Sequence, residues 1–485
     1  MKYLLLIIPI VCTLSLNAQI DSFRLDQVHN PDYKRKLLEF NFLLNQSNQN
    51  QFKTLEQESP IDNFRLSGRT GIDFYSIKNS TSYQGVQFGH LNLNGSAING
   101  KNEGNVADAR TFLTDATYES NNRFYHSDKG LAHLVFNPRA EINYMKRNGI
   151  NDNRSNLSHS DQETSNYLFE SDLGWGHGRL ENVSDARTVL FILEDLRKNN
   201  LLLREPTQEE INELANLAIY VKNQRFFDSR IKRIYELTTL DSLLQQQGIV
   251  SESSIGYHTI LQDNWNYSVN PFRQTGTLFQ YGLRQRFFIE NSTTNYLSRD
   301  STGTDLTRGG QRGYLEEMAA SFFVNFEYYR PLSQSLQNDV RIQLNSGLSG
   351  RYQTNDIYSI NDEERTSQSE NNLFYSLSVR DDLGIYPTNR TYISLWLEAR
   401  YEGYISYEGT GLFDQEDRML DQFTLSGGLS AYYYFSPQLR LSAEWGSNFN
   451  YFNTKQHDTV SEWVSLNEVS RWNNNFSLRL TYKLF

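Results

Sequence analysis

The sequence predicts an all-β, antiparallel transmembrane barrel of about 12 strands (range roughly 10–16) that carries a mainly α-helical insertion. Three observations lead there. Apolar and polar residues alternate with the period of a strand across the C-terminal half. Short and long links alternate between those strands. The chain is aromatic-rich, at 13% with 30 Tyr and 29 Phe in 485 residues, yet its mean hydropathy is −0.62. A barrel reconciles the last pair of facts, because only alternate residues meet lipid.

From the N-terminus, Lys2, the apolar stretch Leu4–Leu16 and a small residue at Ala18 read in order as a secretory signal peptide, residues 1–18. The alternative is a buried first helix of a cytosolic domain. Cys12, the single cysteine, lies in this segment, which leaves the rest without disulfides, thiolate metal sites or a cysteine nucleophile. No later segment has the apolar run that a membrane-spanning helix needs. Residues 19–62 form an N-terminal segment, partly helical, with Pro31–Leu44 as a short helix. The 46 basic and 57 acidic residues give a net charge of −11, or −12 once Lys2 is lost with the leader. That balance argues against nucleic acid as a partner.

Residues 63–180 hold the first barrel strands. Phe64, Leu66, Ile72 and Phe74 alternate with Arg65, Ser67, Arg69 and Asp73. Leu134, Phe136, Ala140 and Ile142 alternate with His133, Asn137, Arg139 and Glu141. Tyr167, Phe169, Leu173 and Trp175 alternate with Glu170 and Asp172, and one further strand falls between Val86 and Tyr125. Gly174-Trp175-Gly176-His177-Gly178-Arg179 lacks the glycine spacing of a dinucleotide site. It reads as a flexible strand-to-helix junction, with Trp175 at a membrane interface and a hinge role as the alternative. Residues 181–250 break the alternation. Ser184 caps a first helix, Thr207 with Glu210 forms a capping box, and Ile211, Leu214, Ala218 and Val221 recur at helical spacing. Gly248 stops the run.

Residues 251–485 carry the C-terminal strands. Phe476, Leu478, Leu480, Tyr482 and Leu484 share one face of the last strand; Ser477, Arg479, Thr481 and Lys483 share the other. The same alternation runs through segments around Phe279–Ile289, Phe322–Tyr328, Val340–Leu348, Tyr375–Val379, Ile393–Ile405, Phe423–Phe435 and Leu439–Tyr451. Asp381 falls on an apolar register, which predicts a bulge at Asp381-Asp382 or a place near the membrane edge. Links at 331–334, 387–390 and 436–438 are tight. Between them lie the polar stretches Asn291–Arg312, Thr354–Glu370, Ser406–Leu420 and Asn453–Trp472, expected as large loops.

The terminal amphipathic strand ending in Phe485, with Tyr482 on its apolar face, resembles the assembly signal of Gram-negative outer-membrane β-barrel proteins. The leader ending in Asn17-Ala18-Gln19 is similar to those of Bacteroidota. The resemblance covers the last strand closely and the C-terminal half as a porin-like pattern. It implies residence in the cell outer membrane, with lipid, lipopolysaccharide and the barrel-insertion machinery as partners. It also places the C-terminus, residues 19–62 and the tight turns in the periplasm. The insertion is then periplasmic or a luminal plug, and a periplasmic protein partner through residues 184–248 is a further expectation.

The inward-facing charges are the candidate pore lining: Arg284, Arg286, Glu327, Asp339, Arg341, Arg380, Asp382, Glu398, Arg400, Glu402, Arg440, Glu444 and Arg479. In a water-filled lumen such charges filter solutes; paired across strands, they merely fill the wall. The eight histidines show no zinc-ligand spacing, although His90, His126 and His133 could meet across adjacent strands. Acidic runs at Asp362-Glu363-Glu364 and Asp414–Asp417 lack the pattern of a calcium loop. No cofactor, metal or catalytic residue is expected. The functional expectation is a porin-like or substrate-specific channel for small polar solutes. The alternatives are an envelope component that docks a partner for secretion, polysaccharide export or adhesion, and a membrane-embedded hydrolase.

Overall fold

A computed structural model describes residues 24–25, 28, 30–51, 61–102, 105–151, 156–250, 254–267, 273–300, 302, 304–359, 362–407, 418–457 and 463–482. The leader, Cys12, Asp414–Asp417 and Phe485 lie outside these residues. Six strands come first: β1 (Tyr33–Gln51), β2 (Ile61–Asn79), β3 (Tyr83–Asn102), β4 (Asn105–Tyr125), β5 (Gly130–Asn151) and β6 (Asn156–Asn182). Four helices follow: α1 (Ser184–Lys198), α2 (Gln208–Lys222), α3 (Ser229–Gln246) and α4 (Ile255–Asn266). Eight strands complete the chain: β7 (Gln274–Arg299), β8 (Asp305–Pro331), β9 (Leu336–Ser359), β10 (Glu363–Thr388), β11 (Thr391–Tyr407), β12 (Arg418–Tyr434), β13 (Leu439–His457) and β14 (Trp463–Tyr482).

All strands form one 14-stranded sheet in sequential order. Each neighbouring pair is antiparallel. β1 and β14 are its two edges, and among the described residues they are not paired with each other, so the expected closed barrel is here an open sheet. The count exceeds the expected twelve by two. One extra strand is β1, where a helix was expected around Pro31–Leu44; its leucines and phenylalanines occupy both parities, which hides the strand period. The other arises because two strands, β3 and β4, fill the region where one was expected.

The register aligns the alternation into continuous rows. Val324, Leu344, Leu377, Tyr401, Phe423 and Tyr451 are successive cross-strand partners on one face. Glu327, Arg341, Arg380, Glu398, Ser426 and Asn448 form such a row on the other. The first face is rich in exposed apolar side chains: Leu283 is 60% exposed, Leu348 64% and Trp175 56%. No bulge occurs at Asp381; the pairing runs unbroken through it, and Asn338 donates to its carboxylate at 2.6 Å.

At one end the links are short, as expected. At the other, three of the four polar stretches read as loops are mostly strand: β7 and β8, for example, run 26 and 27 residues and are joined through residues 300–304, while most of Ser406–Leu420 lies outside the described residues. A 26-residue strand spans roughly 88 Å, far more than the roughly 10 residues that cross a bilayer. Hairpin pairing satisfies the backbone of these polar segments, so nothing forces them into loops.

Between β6 and β7 the chain leaves the sheet for the helices and returns beside its exit. The Val183 amide donates to the Arg273 carbonyl at 2.9 Å, and the Arg273 amide to the Ser184 hydroxyl at 3.0 Å. The capping box is present, with Thr207 and Glu210 exchanging hydrogen bonds. The helices continue past Gly248 to α4, which lies in residues expected to begin the second set of strands. They share one hydrophobic core, including Ala186, Leu196, Leu214, Ala218, Leu240, Leu244 and Leu261, joined by Leu25 and Val28 from ahead of β1. Among the described residues no strand residue belongs to that core, so the helices bury their apolar faces on one another rather than on the sheet. The glycine-rich hexapeptide is no loose junction. It lies wholly inside β6, paired with β7. Gly178, opposite Leu278, at φ +110° and Gly276, opposite Leu180, at φ +116° adopt conformations that other residues rarely take.

Candidate functional site: a charge-paired face and its helical cover

The polar face carries ion pairs that follow from the register. Arg284 sits opposite Asp172 and grips it with two hydrogen bonds of 2.7 Å. Arg286 reaches Glu317 at 2.8 Å and Glu170 at 3.5 Å. Asp382 receives Arg341 at 2.6 Å and Arg380 at 2.8 and 2.9 Å, and Arg380 also approaches Glu398 at 3.4 Å. Arg400 pairs with Glu402 at 2.7 Å. Glu327 accepts from the Tyr329 hydroxyl at 2.9 Å, and Asp339 from Gln337 at 2.6 Å. Arg440 lies over the rings of Tyr432 and Tyr434. Glu444, on β13, and Arg479, on the edge strand β14, are exposed. Tyr482 is exposed on β14, whose chain end lies beyond the described residues.

A cavity of about 660 Å³ on the polar face of β7–β12 brings together Arg284, Arg286 and Glu402 of the expected lining; the other ten expected residues do not line it. Glu317, Asn345, Arg351, Glu370, Asn372 and Gln422 complete much of its wall and were not singled out in the sequence. Their polar-face parity was visible; only Glu370 lies in a stretch read as a loop, and which of the others share one height depends on the register between strands.

A second polar network lies on β2–β4. Asp73 binds His90 Nδ1 at 2.6 Å and Asp115 lies 3.3 Å from Nε2, while Asn92 bridges Arg69 and Asp115. His90, His126 and His133 do not converge: His126 is in the β4–β5 turn, and His133 contacts Asn121 and the edge of Phe323. Among the described residues no hydroxyl hydrogen-bonds His90, and no cluster fit to hold a metal occurs. The network lacks a nucleophile and reads as wall structure.

The helices cover the short-turn end of the polar face. Arg273 is fully buried there. Its guanidinium donates to Gln337 at 2.6 Å and to the carbonyls of Ser333, Gln334 and Leu336 at 2.5–2.9 Å, all at the β8–β9 turn. Arg187 of α1 and Arg273 both stack on Tyr386. Burial holds both guanidinium groups below their usual range; Arg273, at about 10, remains cationic at neutral pH. Further ties are Glu194 with Gln334, Asn264 with Asn389, Asp263 with Arg390, and Tyr267 packed on Tyr434. Arg35 of β1 meets Asn223 at the end of α2. The cover is thus seated by arginines, tyrosines and amides. Tyrosines at 386, 432 and 434 share the polar parity close to the tight turns, a signal that the sequence contained.

No protein-family model matches this chain, and no curated protein matches it. Among solved structures, it is similar to in-vitro folded OmpT, an outer membrane protein of Vibrio cholerae, at 10% identity over 94% of this chain and 99% of that one, with a TM-score of 0.19. It is similar to a deltaS2 mutant of the TodX monoaromatic hydrocarbon channel at 8% identity, over 95% and 92% of the two chains, with a TM-score of 0.23. The Pseudomonas putida toluene transporter TodX matches at 8% identity over 83% and 88%, with a TM-score of 0.18. At such TM-scores these likenesses lend no weight to a function, which rests on the geometry above.

Proposed function

We propose that this protein resides in the outer membrane as a strand-spanning channel for small polar solutes, with a periplasmic helical cover on one mouth. The observation that carries the reading is the contrast between the two faces of one sheet. Rows of large apolar residues stand exposed on one face, and ion pairs line the other. So much exposed apolar surface calls for lipid. Its height fits: Phe423 and Tyr433, aromatics ten residues apart on β12, lie roughly 34 Å apart along the strand. At a tilt of about 45° that becomes about 24 Å, close to the apolar band of such barrels. Among the described residues no helix is long and apolar enough to cross a membrane; on this reading the strands do. The barrel-insertion machinery and lipopolysaccharide belong to this reading as partners.

The test is conductance in planar bilayers, comparing the full chain with a variant in which a short linker replaces residues 184–266. The expected result is low conductance for the full chain and steady conductance for the variant. Silence from both, with folded protein shown by heat-modifiable gel migration, overturns the channel.

A second reading has its own observation. Tyr220, Phe227, Ile231, Ile234 and Ile255 are exposed apolar residues of the helical unit. They favour an envelope component that docks a periplasmic protein. A partner captured by the full chain and lost from the variant supports it.

A further inference from the structure

We propose that the polar-face cavity binds an uncharged, polyhydroxylated solute of the carbohydrate class. The inference rests on the channel reading and names its solute. Its volume, about 660 Å³, lies within the range of small-molecule sites. The first argument is electrostatic. Three cations, Arg284, Arg286 and Arg351, and three carboxylates, Glu317, Glu370 and Glu402, line the cavity, so their formal charges cancel. The charges are also engaged locally. Asp172 holds Arg284 and Glu317 holds Arg286. Arg400 takes Glu402, and Glu370 accepts from the Ser406 hydroxyl at 2.6 Å. An ionic solute entering here meets no excess of the opposite sign to replace its hydration.

The second argument is the supply of neutral hydrogen-bonding groups. Asn345, Asn372 and Gln422 each carry an amide donor and acceptor, and Ser349 and Ser376 add hydroxyls. Those already engaged are held by long bonds that a solute can replace: Asn345 accepts from Arg284 and donates to Ser376 at 3.4 Å, and Gln422 donates to Thr424 at 3.3 Å. A solute bearing many hydroxyls, each both donor and acceptor, can satisfy such a wall. An apolar solute would leave it unsatisfied.

The third is an aromatic platform. Phe374 of β10 and Tyr404 of β11 are direct cross-strand partners, and both line the cavity. The C–H face of a sugar ring can rest on such rings while its hydroxyls reach the amides.

The test uses detergent-solubilised full-length protein and isothermal titration calorimetry. The probes are glucose, maltose and maltotriose, with glutamate, arginine and glucose 6-phosphate as charged controls. Saturable binding of a neutral saccharide is expected, changing less than about twofold between low and high salt. Tyr404→Ala and Gln422→Ala should each weaken it about tenfold, with gel migration confirming folded protein, while Ser442→Ala outside the cavity should not. Preference for a charged probe, or binding lost with salt, overturns the proposal. So does the absence of saccharide binding by folded protein. If the variant without the helices still conducts, that failure leaves the channel standing; if it does not, the channel reading has failed separately.

Discussion

Arg273, which ends the return from the helices, makes more hydrogen bonds at the seat of the cover than any other single side chain described. Replacing it with Ala leaves the carbonyls of Ser333, Gln334 and Leu336 without their charged donor in a part-buried place. The expected loss is at least about 2 kcal/mol of docking, read as faster amide exchange across α1 and as new conductance in bilayers. Arg273→Lys should recover only part, because an ammonium cannot match the planar fork. At the start of α2, Glu210 is held down at about 2 by Arg204 and by the Thr207 amide. A carboxylate with a depressed folded value stabilises fully above its unfolded value near 4.5, and that contribution fades as pH falls toward 2. The first turn of α2 should therefore lose exchange protection between pH 4.5 and 2, and Glu210→Gln should abolish that pH dependence. The two residues differ in legibility. Thr207 and Glu210 declare their cap within four positions of sequence. Arg273 is one arginine among many, and only the returning chain gives it a role.

Among the elements, the eight strands β7–β14 were readable because each keeps one apolar parity, broken only at Asp381 of β10. β1 was not, since apolar residues on both parities mimic a helix, and the strand extensions were not, since polar residues on both faces resemble a loop. The helices were readable as amphipathic, but not their destination. They pack on each other and on Leu25 and Val28, and touch the sheet through polar and aromatic groups. That arrangement makes the cover separable. Leu214→Ala, at a fully buried position, should cost the helical unit about 2–5 kcal/mol. Helical circular dichroism should then melt earlier, while strand signal and heat-modifiable migration stay unchanged. A common shift of both transitions would show instead that cover and sheet unfold together.

For the whole molecule, the assignment of faces makes the sharpest claim. Leu283→Arg puts a cation on the apolar face and should destabilise the folded sheet in lipid by about 2–4 kcal/mol. Gln343→Arg, on the polar face, should be near neutral. Urea unfolding in lipid vesicles measures both, and equal penalties would reverse the reading of the faces. The charge pairs on the polar face were only half legible: parity placed Arg380 beside Asp382 two residues along β10, but Arg284 finds Asp172, and Arg286 finds Glu317, only through the register between strands, which no single strand encodes.

The core of the cover draws on residues 25–265, all of them upstream of β7. A chain delivered from its N-terminus therefore holds everything this core needs before its last eight strands arrive. The helices can close around Leu25 and Val28, tying the start of β1 to the end of β6 and gathering the first six strands into one body. The second half would then be laid against a template already in place, with the β8–β9 turn received by Arg273 as it forms. The insertion would thus set the order of assembly as well as close the mouth.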